Sequence, residues 1–176
     1  MKKIIVGISS SIAAYKACDL IRLFVKEGYS VHAVATENAL HLVSSLTLEV
    51  LSGNPVHSAQ YSRDRREMGH IELKTDASLL LVAPATANSI GKFANGIADD
   101  MLSTTFLSVT CPVLIAPAMN PAMYGHPAVR DNIARLKSWG VRFIDPDEGL
   151  AVCGDEGAGR LADINKIFRA SVDAIS

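Results

Sequence analysis

Leu79-Leu80-Leu81-Val82-Ala83-Pro84-Ala85-Thr86-Ala87-Asn88-Ser89 is the stretch whose reading decides the fold. Four consecutive large apolar residues, too short a run for a helix, describe a strand covered on both faces. Pro84 has no N–H to give a ladder and is expected to end that strand. A turn of small and hydroxyl-bearing residues follows at once, so Thr86, Asn88 and Ser89 fall where a strand hands over to a helix. Backbone N–H groups without helical partners gather at such a junction, beside side-chain donors, and can hold an anion. Thr86 can equally act as a plain cap for the next helix.

The same handover recurs on both sides of this stretch. Lys3 to Ile8 is a β-rich run closed by Gly7-Ile8-Ser9-Ser10-Ser11, and Ala13, Ala17, Leu20, Ile21 and Phe24 then repeat at helical spacing up to Gly28. Ser9 to Ser11 therefore stand at a helix start, as phosphate donors or as caps. Val31 to Ala35 is a second strand, and Thr36 occupies the corresponding station before a weakly periodic helical region that reaches Leu51. Ser58 to Met68 reads as a solvated polar loop. After the Pro84 turn, Ile90 to Ala94 and Met101 to Val109 read as helices, the second with Asp99-Asp100 at its start. Val113 to Ala116 repeats the buried-strand pattern before Pro117, and Ala118 to Tyr124 is a loop. A helix from Pro127 to Trp139 presents Val129, Ile133 and Leu136, and Val141 to Ile144 is the last strand. Asp145 to Arg160 is a glycine-rich loop without periodicity, and Asp163 caps a terminal helix that turns Ile164, Ile167, Phe168 and Ile175 inward. Strands alternating with helices describe one doubly wound α/β domain over residues 1–176, with a largely parallel sheet and its ligand beyond the carboxyl ends of the strands.

Composition narrows the chemistry. The chain has 176 residues, 49% of them hydrophobic, and a net charge of -1. That balance argues against general nucleic-acid binding, which needs a basic footprint. No apolar run approaches a membrane span and no signal-peptide pattern precedes the first strand, so a cytoplasmic protein is expected. Cys18, Cys111 and Cys153 are an odd set without Cys-x-x-Cys or metal-ligand spacing, so neither disulfides nor a metal is indicated. Gly154-x-x-Gly157-x-Gly159 has the wrong order for a dinucleotide fingerprint, and neither a nucleotide phosphate loop nor a Gly-x-Ser-x-Gly elbow is present. Three side chains stand out for chemistry, each with a plainer alternative. His70 can move protons near neutral pH or simply face solvent. Asn120 can fix a carboxylate or shape an Asn-Pro turn. Cys153 lies in the glycine-rich stretch rather than in a regular element, where a chemical role is more natural than for the other two thiols.

Taken together, Ser11-Ile12-Ala13-Ala14-Tyr15-Lys16, Gly69-His70-Ile71-Glu72-Leu73, Pro84-Ala85-Thr86-Ala87-Asn88-Ser89, Pro117-Ala118-Met119-Asn120-x-x-Met123-Tyr124 and Ala151-Val152-Cys153-Gly154-Asp155-x-Gly157-x-Gly159-Arg160 resemble the flavin-dependent cysteine decarboxylases, nearly end to end. The resemblance implies a flavodoxin-like, Rossmann-like fold that binds FMN. It is closest to the branch that converts 4′-phosphopantothenoylcysteine to 4′-phosphopantetheine in coenzyme A biosynthesis. By the same resemblance FMN is placed at Ser9, Ser10, Ser11, Thr36, Thr86, Ala87, Asn88, Ser89 and Ala118. Catalysis falls to His70 and Cys153, and substrate contacts to Asn120, Met123, Leu150, Ala151 and Val152. The implied route oxidises the cysteinyl carbon to a thioaldehyde, loses CO2 to an enethiol and reduces that product again, with Cys153 serving the last step. A homotrimer or a dodecamer of trimers is implied, with the flavin near a subunit contact. A separate phosphopantothenoylcysteine synthetase is also expected, because many relatives continue into such a domain. Ser10 in place of Gly, Thr86 in place of Ser, Val152 between Ala151 and Cys153, and Leu161 in place of Met depart from the family pattern. Within the resemblance, a peptidyl-cysteine decarboxylase of lantibiotic precursors and a non-catalytic regulatory flavoprotein are the alternatives. The flavin prenyltransferases lack the His and the Asn.

Overall fold

The computed structural model describes residues 1–59, 69–150 and 154–176, and for Gly69, His70 and Leu150 the description stops at the backbone. The elements are β1 (Lys3–Ile8), α1 (Lys16–Lys26), β2 (Ser30–Ala35), α2 (Ser45–Ser52), α3 (Gly69–Lys74) and β3 (Ala77–Ala85). They continue with α4 (Ala87–Ala94), α5 (Met101–Ser108), β4 (Val113–Pro117), α6 (Pro121–Gly125), α7 (Pro127–Ser138) and β5 (Arg142–Phe143). An outlying pair, β6 (Asp147–Leu150) and β7 (Glu156–Arg160), precedes α8 (Ile164–Asp173). Five strands form a parallel sheet in the order β2-β1-β3-β4-β5, the flavodoxin-like arrangement. Among the described residues no helix is long and apolar enough to cross a membrane.

The uninterrupted apolar run of β3 is explained by what covers it. Leu79, Leu81 and Ala83 pack with Ile4, Val6 and Ile8 of β1, Leu20, Ile21 and Phe24 of α1, and Ile167 of α8. Leu80, Val82 and Ala85 face the other way, toward Ile90 and Phe93 of α4, Leu102 of α5, and Ile133 and Leu136 of α7. Helices on both faces leave no side of the strand for polar residues. Each leucine fully buried this way contributes about 1.5–3 kcal/mol relative to exposure. Both edges of the sheet are short or covered. β5 has only two residues, and on the β2 edge His57 bridges Val34, its N–H donating to Ala33 O at 3.0 Å and its carbonyl accepting from Ala35 N at 3.0 Å.

Several expectations are corrected. Pro84 does not end its strand: the ladder to β4 shifts register between Val82 and Ala85, absorbs the missing donor, and resumes with Ala85 beside Pro117. The first helix opens as a tight 3-10 turn over Ile12–Tyr15, capped by Ser11, before α1 proper. At three residues per turn the buried face moves by one position, so Ala14 rather than Ala13 is fully enclosed. The helix expected from Ile90 begins at Ala87, and the loop after Ala118 contains α6 with Asn120 as its cap. Most of the polar Ser58 to Met68 stretch, residues 60–68, lies outside the described residues.

Residues 145–160 are not a plain loop, and Val141 to Ile144 does not hold the chain's last strand, because β6 and β7 pair antiparallel with Gly149 opposite Gly157. Glycines carry no β signal in a sequence, and here they serve close approach. A Cβ on Gly159 would sit 2.3 Å from the Met119 carbonyl oxygen and 3.2 Å from Pro121 N. In its absence Met119 N donates to Gly159 O at 2.9 Å, seating β7 against the corner that follows β4. Gly159→Ala forces backbone against backbone there. It is expected to lower stability by about 1–3 kcal/mol in urea unfolding, as overpacking does, and an unchanged midpoint would show that the ribbon is not held at this corner.

Candidate active site

The ends of β1, β2 and β3 deliver Ser9, Thr36 and Thr86 to one place, the crevice that a 2-1-3-4-5 sheet opens where its strand order reverses. A cleft of about 300 Å³ lies there, lined by Ser9, Ser10, Thr36, Thr86, Asn88 and Ser89 together with Glu37, Asn38, Ser58, Lys92, Asp99 and Asp100. Three of the expected cofactor residues do not line it. Ser11 accepts a hydrogen bond from Ala13 N at 3.3 Å as the cap of its turn, Ala87 opens α4, and Ala118 is buried with its N–H donating to Ala85 O at 2.9 Å.

Ser9 holds the cleft together. The residue is 1% exposed, and its hydroxyl donates to Pro84 O at 2.9 Å and accepts from Thr86 N at 2.9 Å. Thr86 Oγ1 accepts from Ser89 N at 3.3 Å, so Thr86 does cap α4. Capping and anion binding are compatible here. Helix starts leave their first N–H groups without helical partners, and among the described residues those of Ala87 and Asn88 have no hydrogen-bond acceptor.

Among the described residues Lys92 is the cation of the lining, and nothing in its local sequence singles it out. Its ammonium lies 2.7 Å from Asp99 and 2.8 Å from Asp100. Asp100 also closes a capping box on α5, accepting from Ser103 N at 2.7 Å while its own N–H donates to Ser103 Oγ at 3.2 Å. Burial pushes the Lys92 ammonium down, but its bonds to Asp100 and Asp99 outweigh burial and hold it above its ordinary value. Burial likewise pushes the Asp100 carboxyl up, and the Lys92 and Ser103 bonds overcome it and hold it below its ordinary value. With Lys92 committed to two carboxylates, the described lining offers a phosphate hydroxyl and N–H donors. The donor set suits the phosphate end of a flavin mononucleotide in that way.

The end of β4 adds a second group of donors at the same edge of the sheet. Asn120 Oδ1 accepts from Ala122 N at 2.7 Å, capping α6, and this fixes the amide so that Nδ2 donates to the Asp155 carboxylate on the ribbon. Met123 is 48% exposed beside it. The backbone of His70 lies in α3 and that of Leu150 in β6, while Ala151, Val152 and Cys153 lie outside the described residues. A wider hollow of about 840 Å³, bordered by Met1, Lys3, Ser30, Ile71, Glu72, Thr75 and Asp76, opens at the opposite ends of the strands. Its one lysine donates to the carbonyls of Glu72 and Thr75, and it lacks the convergent hydroxyls of the smaller cleft.

Asp100 makes stability depend on pH in a defined direction. Its depressed folded value means that its contribution is complete above the ordinary 3.8 and is lost as pH falls through the lower folded value. Asp100→Asn lacks that dependence, so the gap in urea midpoint between wild type and variant is expected to close as pH falls below the ordinary 3.8 and through the lower folded value. A gap that stays constant would remove the ion pair from the account.

A family model described as Flavoprotein matches residues 1–176. The chain is 42% identical over 171 residues to a probable phosphopantothenoylcysteine decarboxylase of Streptococcus mutans, covering 96% of each chain. It spans about two fifths of the length of the curated bifunctional coenzyme A biosynthesis proteins that it also matches. A PPC decarboxylase variant complexed with pantothenoylaminoethenethiol shares the fold at a TM-score of 0.83 and 29% identity, over 96% of this chain and 95% of that one. The FMN-dependent cysteine decarboxylase SpaF does so at 0.83 and 29%, over 100% of this chain and 98% of that one. With sequence and fold both matched along its length, the chain belongs to the Flavoprotein family.

Proposed function

We propose that this chain, one domain over residues 1–176, binds FMN in the cleft beyond β1 and β3 and decarboxylates 4′-phosphopantothenoylcysteine to 4′-phosphopantetheine in coenzyme A biosynthesis. The observation that carries the reading is the pairing, at one edge of the sheet, of a hydroxyl-lined cleft with an Asn120 amide whose Oδ1 is fixed by the α6 cap and whose Nδ2 meets a carboxylate. The relative from Streptococcus mutans, named for this reaction, and the FMN dependence of SpaF support it. The same reading places the reaction in the cytoplasm, in a homotrimer or a dodecamer of trimers, with a phosphopantothenoylcysteine synthetase supplying the substrate.

Ser10, Thr36, Thr86, Asn88 and Ser89, with the N–H groups of Ala87 and Asn88, are the groups that would hold the cofactor's phosphate and ribityl hydroxyls. Ser9 lines the cleft with its hydroxyl spent on Pro84 and Thr86, and Ser11 and Ala118 stand outside the lining. Bound there, FMN supplies reversible two-electron chemistry, so a net redox-neutral decarboxylation needs no external oxidant. Asn120 Nδ2 grips the substrate carboxylate and Met123 packs beside the cysteinyl arm, with Leu150, Ala151 and Val152 as further contacts. His70 serves as base or orienting group at the cysteinyl carbon. Once that carbon is oxidised CO2 leaves readily, because the sulfur-bearing carbon absorbs the electron pair of the breaking bond. Cys153 supplies the proton that completes reduction to the saturated thiol.

Purified protein is expected to be yellow and to release CO2 from 4′-phosphopantothenoylcysteine, with 4′-phosphopantetheine seen by mass. A colourless protein that takes up no FMN, or CO2 release only from a cysteine-ended peptide, would defeat this assignment. His70→Asn is expected to abolish CO2 release and keep the colour, whereas retained turnover would take His70 out of the chemistry. Cys153→Ser is expected to decarboxylate but halt at a product about two mass units lighter, since two hydrogens are not returned. Ordinary product from that variant would make Cys153 structural.

A further inference from the structure

We infer that Asp155 is an internal stand-in for the substrate's carboxylate, occupying the Asn120 amide until substrate displaces it, and so sets the apparent affinity for carboxylated ligands. The inference rests on the proposed function. Three observations carry it. First, the Asn120 amide is oriented from behind: its Oδ1 is engaged by Ala122 N at the start of α6, which leaves Nδ2 as the end presented to a ligand. Second, the group bonded to that Nδ2 is already a carboxylate, Asp155 Oδ2, brought from 35 residues further along the chain. Third, β7 immediately after Asp155 is fixed to the same corner, through Met119 N on Gly159 O and through Gly157 against Pro121, so the carboxylate is delivered by a seated element.

A second carboxylate arriving at this amide meets both an occupied donor and a like charge. Asp155 has to yield before substrate is gripped. The decarboxylated product has no group to compete for Nδ2, so Asp155 retakes the amide as CO2 is lost and the product is not held through this contact. An Asp155 that instead braced Asn120 in its working orientation would act with the opposite sign, supporting substrate rather than opposing it.

The test compares the FMN-loaded wild type with Asp155→Asn and Asp155→Ala. KM for 4′-phosphopantothenoylcysteine is read from CO2 release, and the Kd of 4′-phosphopantetheine from calorimetric titration. Loss of one solvent-exposed hydrogen bond, at its ordinary net worth, predicts that KM falls about two- to tenfold in Asp155→Ala. A smaller fall is expected in Asp155→Asn, which keeps an uncharged acceptor, with product Kd within about twofold in both. A KM that rises or stays level in both variants overturns the inference, as does a KM and product Kd that move together, the signature of a ribbon that merely encloses the ligand. A wild type that binds FMN and releases no CO2 overturns the proposed reaction, and is seen before any variant is made.

Discussion

The hydroxyl of Ser9 is the constraint on which the rest of the site depends. It ties the end of β1 to the end of β3 by donating to Pro84 O and accepting from Thr86 N, at a position sealed from solvent. A buried hydroxyl satisfied on both sides fixes two backbones at once, and leaving either partner unpaired would cost about 1–3 kcal/mol. Through Thr86 the constraint reaches the first turn of α4, and with it the direction in which the helix offers its N–H groups. Pro84 belongs to this device. Having no N–H, it interrupts the ladder to β4, while its carbonyl receives both the N–H and the hydroxyl of Ser9.

Among the described residues the electrostatics of the cleft follow from where Lys92 is held. Bound between Asp99 and Asp100, Lys92 joins the start of α5 to the body of α4 and does not stand as a loose cation over the strand ends. Among the described residues the wall sets Glu37, Asp99 and Asp100 against Lys92, so these residues offer an anion directed donors rather than net positive charge. Such a site favours a ligand whose shape meets those donors over any phosphate that diffuses in.

How much of this was legible in the residues depends on what kind of signal each part leaves. The central strand was readable because burial on both faces removes polar residues from Leu79 to Val82, and Ser9, Thr36 and Thr86 were readable because each follows an apolar strand and precedes a helix. Lys92 was not, since a lysine on an amphipathic helix has the same appearance whether it meets water or two aspartates across a corner. The β6–β7 ribbon was hidden for a different reason: Gly157 and Gly159 carry no strand propensity, and the pairing rests on backbone contacts with Met119 and Pro121 that no local pattern encodes. The Asn120–Asp155 bond was out of reach as a consequence, because it exists only once that ribbon is in place. The motif resemblance supplied roles for His70 and Cys153 that local reading left open.

The margins of the main sheet bear on how copies of this chain can meet. A two-residue strand on one side and a covering bridge by His57 on the other leave little exposed ladder for a foreign strand to extend. Edge-to-edge β pairing through the main sheet is thereby discouraged, which favours side-chain contacts on helices and loops, where register can be specified residue by residue and a growing fibre is not the default outcome.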